Sequence, residues 1–237
     1  MPILTEELKK EMIDFLKVTL NLPTDGVWAH YCEEGWDDDD WYEDFRYDCD
    51  ADWVDHGASK IVLYYETFSK WVFKIPFRGE YNEEEDNYKN FIGANKHFPI
   101  ELANDYCAGE AYITREAKRA NLDSLFASTY FLCDICGTPI YVSEKVPHSR
   151  WTNPKWKDIN SSLSIARDIS NFHRDTICET SLDEEVIALF VDAYGEEKTY
   201  ELIDFLYCYQ IKDLHNGNVG FSRDYKIKIL DYSGFDS

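Results

Sequence analysis

The chain has 237 residues, with 24 basic and 46 acidic side chains, and its formal net charge is −22. This charge argues against nucleic acid or an anionic membrane surface as a partner, since clustered basic side chains bind both. Because 44% of the residues are hydrophobic and 16% are aromatic, the composition also excludes a disordered acidic chain. The sequence has neither an apolar run long enough to span a membrane nor a signal-peptide pattern at its start, so we predict a cytoplasmic protein.

Negative charge is concentrated in the first quarter of the sequence, where residues 1 to 56 contain 17 acidic and 4 basic side chains. We interpret residues 1 to 51 as an acidic N-terminal extension. Within it, apolar residues at helical spacing from Thr5 to Leu20 predict one amphipathic helix that packs on the main body. The aspartates between Trp36 and Trp41 predict a solvated acidic loop whose aromatic residues anchor it to the core, and the alternative is a docking surface over residues 33 to 55 for a basic protein partner.

Residues 52 to 77 predict three β-strands. The first ends at a turn that contains Gly57, Ala58 and Ser59, and the others cover residues 60 to 65 and 71 to 76. Lys74 is the only charged residue of the third strand, and a charge among bulky apolar side chains requires a partner.

The partner of Lys74 can be chosen from the helical pattern between residues 101 and 127, where apolar residues recur at spacings of three and four. Glu110 falls inside this apolar stripe, whereas Glu116 lies about 120° further round the helix. A carboxylate on a buried face is costly unless it is paired. The sequence therefore predicts an ion pair between Lys74 and Glu110, which a purely structural salt bridge would also explain.

A Cys-x-x-Cys motif, formed by Cys133 and Cys136, is followed by Gly137. A structural zinc site would need a second pair of ligands, and the sequence offers none at a suitable spacing. Because apolar runs flank the motif, a β-hairpin is the favoured interpretation. Beyond the next strand the pattern changes from strand-rich to helical, which predicts a domain boundary near residue 147.

Three oxygen-bearing side chains stand out near the end of the sequence. Asp213 is followed five residues later by Asn218, and a strand-like segment then leads to Asp231. If the two segments form a hairpin, these side chains converge. Carboxylate and amide oxygens suit Mg²⁺ that shares its ligand shell with phosphate, and Asp213 would then orient or deprotonate a hydroxyl.

These residues carry a resemblance to the protein-kinase-like superfamily. The Asp-Leu-x-x-x-Asn string at residues 213 to 218 resembles its catalytic loop, and Asp-Tyr-Ser-Gly from Asp231 resembles its Asp-Phe-Gly motif. The Val-Phe-Lys-Ile string around Lys74 is similar to the family's lysine-bearing strand, and Glu110 takes the place of its helix-C glutamate. The resemblance implies that Lys74 and Glu110 hold the phosphates of ATP and that Asn218 and Asp231 bind Mg²⁺.

The same resemblance implies the rest of the site and the fold. Asp213 would act on the acceptor hydroxyl, and the nucleotide would further contact Gly57, Ala58, Ser59, Val62, Glu144 and Val146. The implied fold is α+β with two lobes. Residues 52 to 147 would form an N-lobe of antiparallel sheet and one helix, and residues 148 to 237 a reduced, mostly helical C-lobe. The implied function is an ATP- and Mg²⁺-dependent phosphotransferase whose acceptor is a protein hydroxyl or a small molecule.

Three departures from the family pattern keep other functions open. A single glycine, Gly57, replaces the usual three, Ile211 and Lys212 replace a His-Arg pair, and the sequence ends six residues after Asp231. The resemblance is therefore to reduced kinase-like proteins of bacteria and phages, truncated after the Asp-Phe-Gly-like motif. The alternatives are a pseudokinase or nucleotide-binding interaction module, and an acidic docking or decoy protein that acts through residues 33 to 55.

Overall fold

The protein is described by a computed structural model, and its fold class is α+β. The described residues are 2–20, 22, 41–56, 60–76, 106–147, 162–173, 177, 180, 182–211, 214 and 216–232. The α-helices in this part of the chain are α1 (Glu6–Thr19), α2 (Trp41–Asp48), α3 (Tyr106–Arg119), α4 (Leu163–Phe172), α5 (Glu184–Tyr194) and α6 (Glu196–Cys208). Across these described segments, every helix is too short or too polar to cross a membrane.

The strands are β1 (Trp53–His56), β2 (Lys60–Tyr64), β3 (Trp71–Pro76), β4 (Thr129–Ile135), β5 (Thr138–Glu144), β6 (Val219–Phe221) and β7 (Ile227–Ile229). The first five form one antiparallel sheet in the order β1-β2-β3-β5-β4, and the last two form a hairpin. The antiparallel sheet and the strand predictions for β2 and β3 are thereby confirmed.

The chain divides into two compact units. The first comprises Met1–Asp86, Glu101–Ala111 and Thr129–Lys145, and the second comprises Asn87–Ile100, Tyr112–Ser128 and Val146–Ser237. The division falls within α3, so the first turns of this helix belong to the unit that contains the five-stranded sheet.

The core of the first unit lies on one face of its sheet. Strand side chains alternate between faces, and the residues of β2 and β3 that point to this face are fully buried: Ile61, Leu63, Phe73 and Ile75. Met12 and Leu16 of α1 join them in one apolar cluster. Thr5 begins α1 by accepting a hydrogen bond from the Leu8 amide at 3.2 Å. Helix α1 thus covers the apolar face of the sheet.

Helix α2 lies in the acidic segment for which the sequence predicted a loop anchored by its aromatic residues, so residues 41 to 48 are helical and not a loop. The expected aromatic anchor is Phe45, which is fully buried together with Cys49 in the same apolar cluster as the sheet. The Tyr65 hydroxyl also donates to the Cys49 carbonyl at 2.8 Å. Burial raises the pKa of this phenol well above its ordinary value, so the hydroxyl stays a donor. The aspartates at residues 37 to 40 lie outside the described residues.

The β4–β5 hairpin confirms the prediction made from the Cys-x-x-Cys motif. Its turn places Cys136 and Gly137 at positive φ, +53° and +80°, and the Gly137 amide donates to an Asp134 carboxylate oxygen at 2.8 Å. Glycine adopts this backbone conformation without steric cost. Burial raises the pKa of the Cys133 thiol, which is therefore less reactive than an exposed cysteine.

Helix α5 forms the buried centre of the second unit. At the start of this helix, the Asp183 side chain accepts a hydrogen bond from the Val186 amide at 2.8 Å. Every residue from Val186 to Val191 is buried. At its end, the Tyr194 hydroxyl lies 3.0 Å from the Ser124 carbonyl and 2.8 Å from the Ile227 carbonyl. Gly195, with φ of +88°, separates α5 from α6. These contacts attach the β6–β7 hairpin to the helices of this unit.

The packing of α1 on the sheet predicts that alanine substitutions at two positions of this helix differ in their effect on stability. We expect Leu16→Ala to lower the free energy of unfolding by about 2–5 kcal/mol, because it leaves a cavity in the core. Val18→Ala is the matched control, since Val18 is 88% exposed on the same helix. Urea denaturation of both variants measures the effect, and equal losses would contradict the described packing.

Candidate functional site

The candidate site is centred on the carboxylate of Glu110, which α3 carries into the first unit with no solvent exposure. The Lys60 Nζ atom donates to Glu110 Oε1 at 2.8 Å, and Lys74 Nζ donates to Glu110 Oε2. The Thr129 hydroxyl also donates to Oε2, at 2.8 Å. Each of the two lysine side chains is only 7% exposed. The result is a buried cluster of two ammonium groups around one carboxylate.

Strand register explains how two lysines reach the same carboxylate. Val62 is paired with Lys74 across the β2–β3 ladder, and Lys60 precedes Val62 by two residues, so all three lie on one face. This face is opposite to the apolar core that α1 covers. The first turns of α3 pack on it, because Cys107 and Ala111 form an apolar cluster with Tyr141 of β5. Glu110 lies next to Ala111, so the same packing brings its side chain to the lysines.

The burial of this cluster has an energetic consequence. Removing ammonium and carboxylate groups from water costs several kcal/mol for each ion, and ion pairing offsets that cost only when the hydrogen bonds are well made. The carboxylate meets this condition with a donor on Oε1 and two donors on Oε2. Ser143 extends the network, since its Oγ lies 3.0 Å from Thr129 Oγ1.

The predicted ion pair between Lys74 and Glu110 is confirmed as a contact, while its role in binding nucleotide stays a prediction. Lys60 was not predicted as part of the site. The signal that could have found it is the alternation of β2, since a lysine two residues before Val62 shares the face of Lys74. It stands next to the predicted turn at residues 57 to 59, where a lysine is ordinarily exposed to solvent.

The β6–β7 hairpin carries two of the predicted metal ligands in the second unit. Val219 pairs with Ile229, and the Leu230 amide donates to the Asn218 carbonyl at 2.8 Å. Asn218 and Asp231 therefore flank the open end of the predicted hairpin. Asp213, the third member of the predicted set, lies outside the described residues. Within the described segments, no group of three or more His, Cys, Asp or Glu side chains is placed to hold a metal ion.

Tyr232 fixes the backbone directly after Asp231. Its side chain is fully buried, and its hydroxyl lies 2.6 Å from the Ala127 carbonyl and 2.8 Å from Thr114 Oγ1. Its ring packs edge-on against Phe126 at 5.1 Å between centroids. Asp231 is thus held between the hairpin on one side and an anchored aromatic residue on the other.

The remaining predicted nucleotide contacts are only partly described. Val62 lies on the same sheet face as Lys74, and Glu144 is buried at the end of β5, where it pairs with Trp71. Val146 is partly exposed and belongs to the second unit. The three residues of the predicted phosphate-covering turn lie outside the described residues.

A separate cavity of about 210 Å³ lies in the second unit, between α5 and the turn end of the β6–β7 hairpin. Its lining includes Asp192, Asp224 and Lys226. The Ser222 hydroxyl donates to Asp224 at 2.6 Å, and this hydrogen bond lowers the pKa of the Asp224 carboxyl. The cavity contains no predicted site residue.

The chain was compared with protein-family models, with curated proteins and with solved structures, and none of them matches it. The kinase-like interpretation therefore stays a proposal. Its support comes from the motifs of the sequence and from the geometry around Glu110, Asn218 and Asp231.

The burial of Glu110 predicts that neutralising its side chain strongly destabilises the protein. We expect Glu110→Gln to lower the free energy of unfolding by about 3–5 kcal/mol, because it leaves two buried ammonium groups without their carboxylate. Glu116→Gln is the matched control on the same helix, since Gln can still accept the hydrogen bond that Tyr209 donates to Glu116 at 3.1 Å. The measurement is chemical denaturation at pH 7. A loss for Glu110→Gln no larger than for Glu116→Gln would show that the buried cluster does not form.

Proposed function

We propose that the protein is an ATP- and Mg²⁺-dependent phosphotransferase of the protein-kinase-like type. The observation that carries this proposal is the buried contact between Lys74 and Glu110, which a kinase-like nucleotide site requires and which the sequence predicted. In this proposal the first unit, with its five-stranded sheet, corresponds to the N-lobe. The second unit corresponds to a reduced C-lobe.

Lys74 would contact the phosphates through its ammonium group, with Glu110 holding that group in place. The pair is suited to this task because it is already desolvated, so its charges interact with a bound anion more strongly than exposed charges do. The Thr129 hydroxyl fixes the carboxylate from the other side at 2.8 Å. The lysine would thus be oriented before nucleotide arrives, which reduces the entropy lost on binding.

Asn218 and Asp231 would hold Mg²⁺, since their amide and carboxylate oxygens are the donors that this hard cation prefers. Mg²⁺ bound there would neutralise negative charge on the phosphate oxygens. Asp213 would take the proton of the acceptor hydroxyl. The hydroxyl oxygen would then form a bond to the terminal phosphorus while the bond from that phosphorus to the ADP oxygen breaks. The acceptor would be a hydroxyl of a protein or of a small molecule.

Other residues would complete the nucleotide site in this proposal. Val62 would contact the base, the backbone of Glu144 and Val146 would face its edge, and Gly57, Ala58 and Ser59 would cover the phosphates. A protein that binds nucleotide without transferring phosphate would use the same residues except Asp213. An acidic docking protein would instead use residues 33 to 55, of which Asp48, Asp50 and Asp55 are exposed.

Nucleotide binding predicts a thermal shift that depends on the proposed residues. We expect ATP with Mg²⁺ to raise the melting temperature by about 5–10 °C when ATP exceeds its dissociation constant roughly 100-fold. The shift should nearly vanish in Lys74→Met and should lose its Mg²⁺ dependence in Asp231→Ala. Differential scanning fluorimetry with ATP, with and without Mg²⁺, measures both effects.

Lys70→Met is the matched control for this experiment, because Lys70 is exposed and lies four residues before Lys74. It should keep the wild-type shift. If ATP fails to stabilise the wild-type protein, both the phosphotransferase and the nucleotide-binding alternative are wrong, and the acidic surface becomes the basis of function.

Phosphate transfer predicts a dependence on Asp213. We expect incubation with ATP and Mg²⁺ to add phosphate to the protein, and Asp213→Asn to reduce the rate at least about 100-fold, because Asn cannot accept the hydroxyl proton. Intact-protein mass spectrometry detects the added mass of phosphate.

Asp175→Asn is a matched control for this variant. The string His173-Arg174-Asp175 spells the family's His-Arg-Asp, but the residue five positions later is Thr180, a poor metal ligand. Asp175→Asn should therefore retain transfer. Unchanged transfer in Asp213→Asn would contradict the role given to Asp213, whereas binding of ATP with no transfer in wild type would identify a nucleotide-binding module.

A further inference from the structure

The cavity between α5 and the turn of the β6–β7 hairpin has no part in the proposed function. All of its lining residues belong to the second unit, and its volume is about 210 Å³. It lies at the turn end of the hairpin, whereas Asn218 and Asp231 flank the open end. Since a protein cavity of about 150 Å³ is large enough for benzene, this one has room for a single ring with a short substituent.

The inner part of the cavity is apolar. Leu189 of α5, Phe221 of β6 and Ile227 of β7 line it, and these side chains are 4%, 1% and 1% exposed. We call these three residues the floor of the cavity. An apolar group that contacts the floor leaves water, and this transfer favours binding.

The mouth of the cavity carries more negative than positive charge. Asp192, Asp224 and Lys226 line it, and all three are exposed. The hydrogen bond from Ser222 and the nearby charge of Lys226 lower the pKa of Asp224, so this carboxylate is ionised at neutral pH. The Lys226 Nζ atom also lies 5.6 Å from the centroid of the Tyr194 ring, whose face attracts a cation. Two carboxylates and one ammonium group thus leave a net negative charge at the opening.

The end of α5 adds to this negative charge. Asp192 lies in the last turn of α5, which contains no basic residue. The C-terminal end of a helix carries a partial negative charge, so a carboxylate is unfavourable there and a cation is favourable. A positively charged group bound beside Asp192 would therefore interact favourably with both the side chain and the helix end.

The turn at the mouth is held in one conformation by its own hydrogen bonds. The Ser222 amide donates to the Lys226 carbonyl at 2.9 Å, and the Tyr225 amide donates to the Ser222 carbonyl at 2.8 Å. Tyr225, which also lines the cavity, has a φ of +58°, a value that is uncommon outside glycine. Because the turn is already ordered, Asp224 is presented to a ligand at a smaller cost in entropy.

We infer that this cavity binds a small molecule that combines a primary ammonium group with an apolar body. The ammonium group interacts with Asp192 and Asp224, and the apolar body contacts the floor. A metal ion suits the cavity less well, because it gains nothing from an apolar floor and is repelled by Lys226. An anion is disfavoured by the two carboxylates.

NMR titration of the isotope-labelled full chain with phenethylamine tests this inference, and phenethyl alcohol is the uncharged matched ligand. We expect phenethylamine to shift the amide signals of Asp192 and Tyr225 in a saturable way at millimolar concentrations. The affinity for the alcohol should be about 10-fold lower or less, because the alcohol forms no charge-assisted hydrogen bond. Asp192→Asn should lower the affinity for the amine about 5-fold.

Asp168→Asn is the matched control, because Asp168 is exposed on α4 of the same unit and is not among the residues that line the cavity. It removes the same charge and should change the affinity for phenethylamine less than about 2-fold.

Ala193→Leu tests the cavity by filling it. Ala193 lines the cavity from α5 and is partly exposed, so a larger side chain can occupy the space without entering the buried core. Leucine is also a good helix former. We expect this variant to keep the wild-type melting temperature and to lose at least about 10-fold in affinity for phenethylamine, since the apolar body loses its contacts with the floor.

Several results would contradict the inference. Phenethylamine might show no saturable binding to wild type, or the alcohol could bind as tightly as the amine. An equal loss in Asp168→Asn and Asp192→Asn would show that binding follows the overall charge of the protein. Unchanged binding in folded Ala193→Leu would place the amine elsewhere. None of the substituted residues belongs to the proposed nucleotide site, so the thermal shift with ATP tests that function separately.

Discussion

A carboxylate inside a protein must be neutralised and fully hydrogen-bonded, and Glu110 meets this requirement with groups from three strands. Lys60, Lys74 and Thr129 come from β2, β3 and β4, and Ser143 of β5 supports Thr129. A shift of one residue in the register of a strand would move its polar group to the opposite face. The requirement of one buried charge therefore specifies the alignment of four strands together with the start of α3.

The two faces of this sheet are used in different ways. One face carries the apolar cluster, and α1 covers it through Met12 and Leu16. The other carries the charged cluster and a small apolar contact between α3 and Tyr141. Hydrophobic burial stabilises a sheet whichever residues supply it, whereas an ion cluster requires specific partners. The apolar face can thus supply most of the stability while the polar face keeps its side chains for specific interactions.

The sequence predicted those features that a local pattern determines. Lys74 and Glu110 were found because each places a charge on an apolar face and so requires a partner. Lys60 was missed because a lysine beside a turn ordinarily lies in water. Helix α2 was missed because its acidic composition suggested a loop, although the anchoring of this segment by an aromatic residue was expected. The hydrogen bonds of Tyr232 join it to Thr114 and Ala127, which are 118 and 105 residues away, and no local pattern could predict them.

The anchoring of Tyr232 has a consequence for its neighbour Asp231. Both sequence neighbours of Asp231 are held in place. The Leu230 amide donates to the Asn218 carbonyl, and the buried Tyr232 hydroxyl donates to the Ala127 carbonyl in the second unit. A ligand bound by this carboxylate would therefore restrict mainly the rotation of the Asp231 side chain, and an aspartate has few rotamers to lose. The position of the Asp231 backbone is accordingly determined by contacts to Thr114 and Ala127, which are distant in the sequence, and not by its immediate neighbours alone.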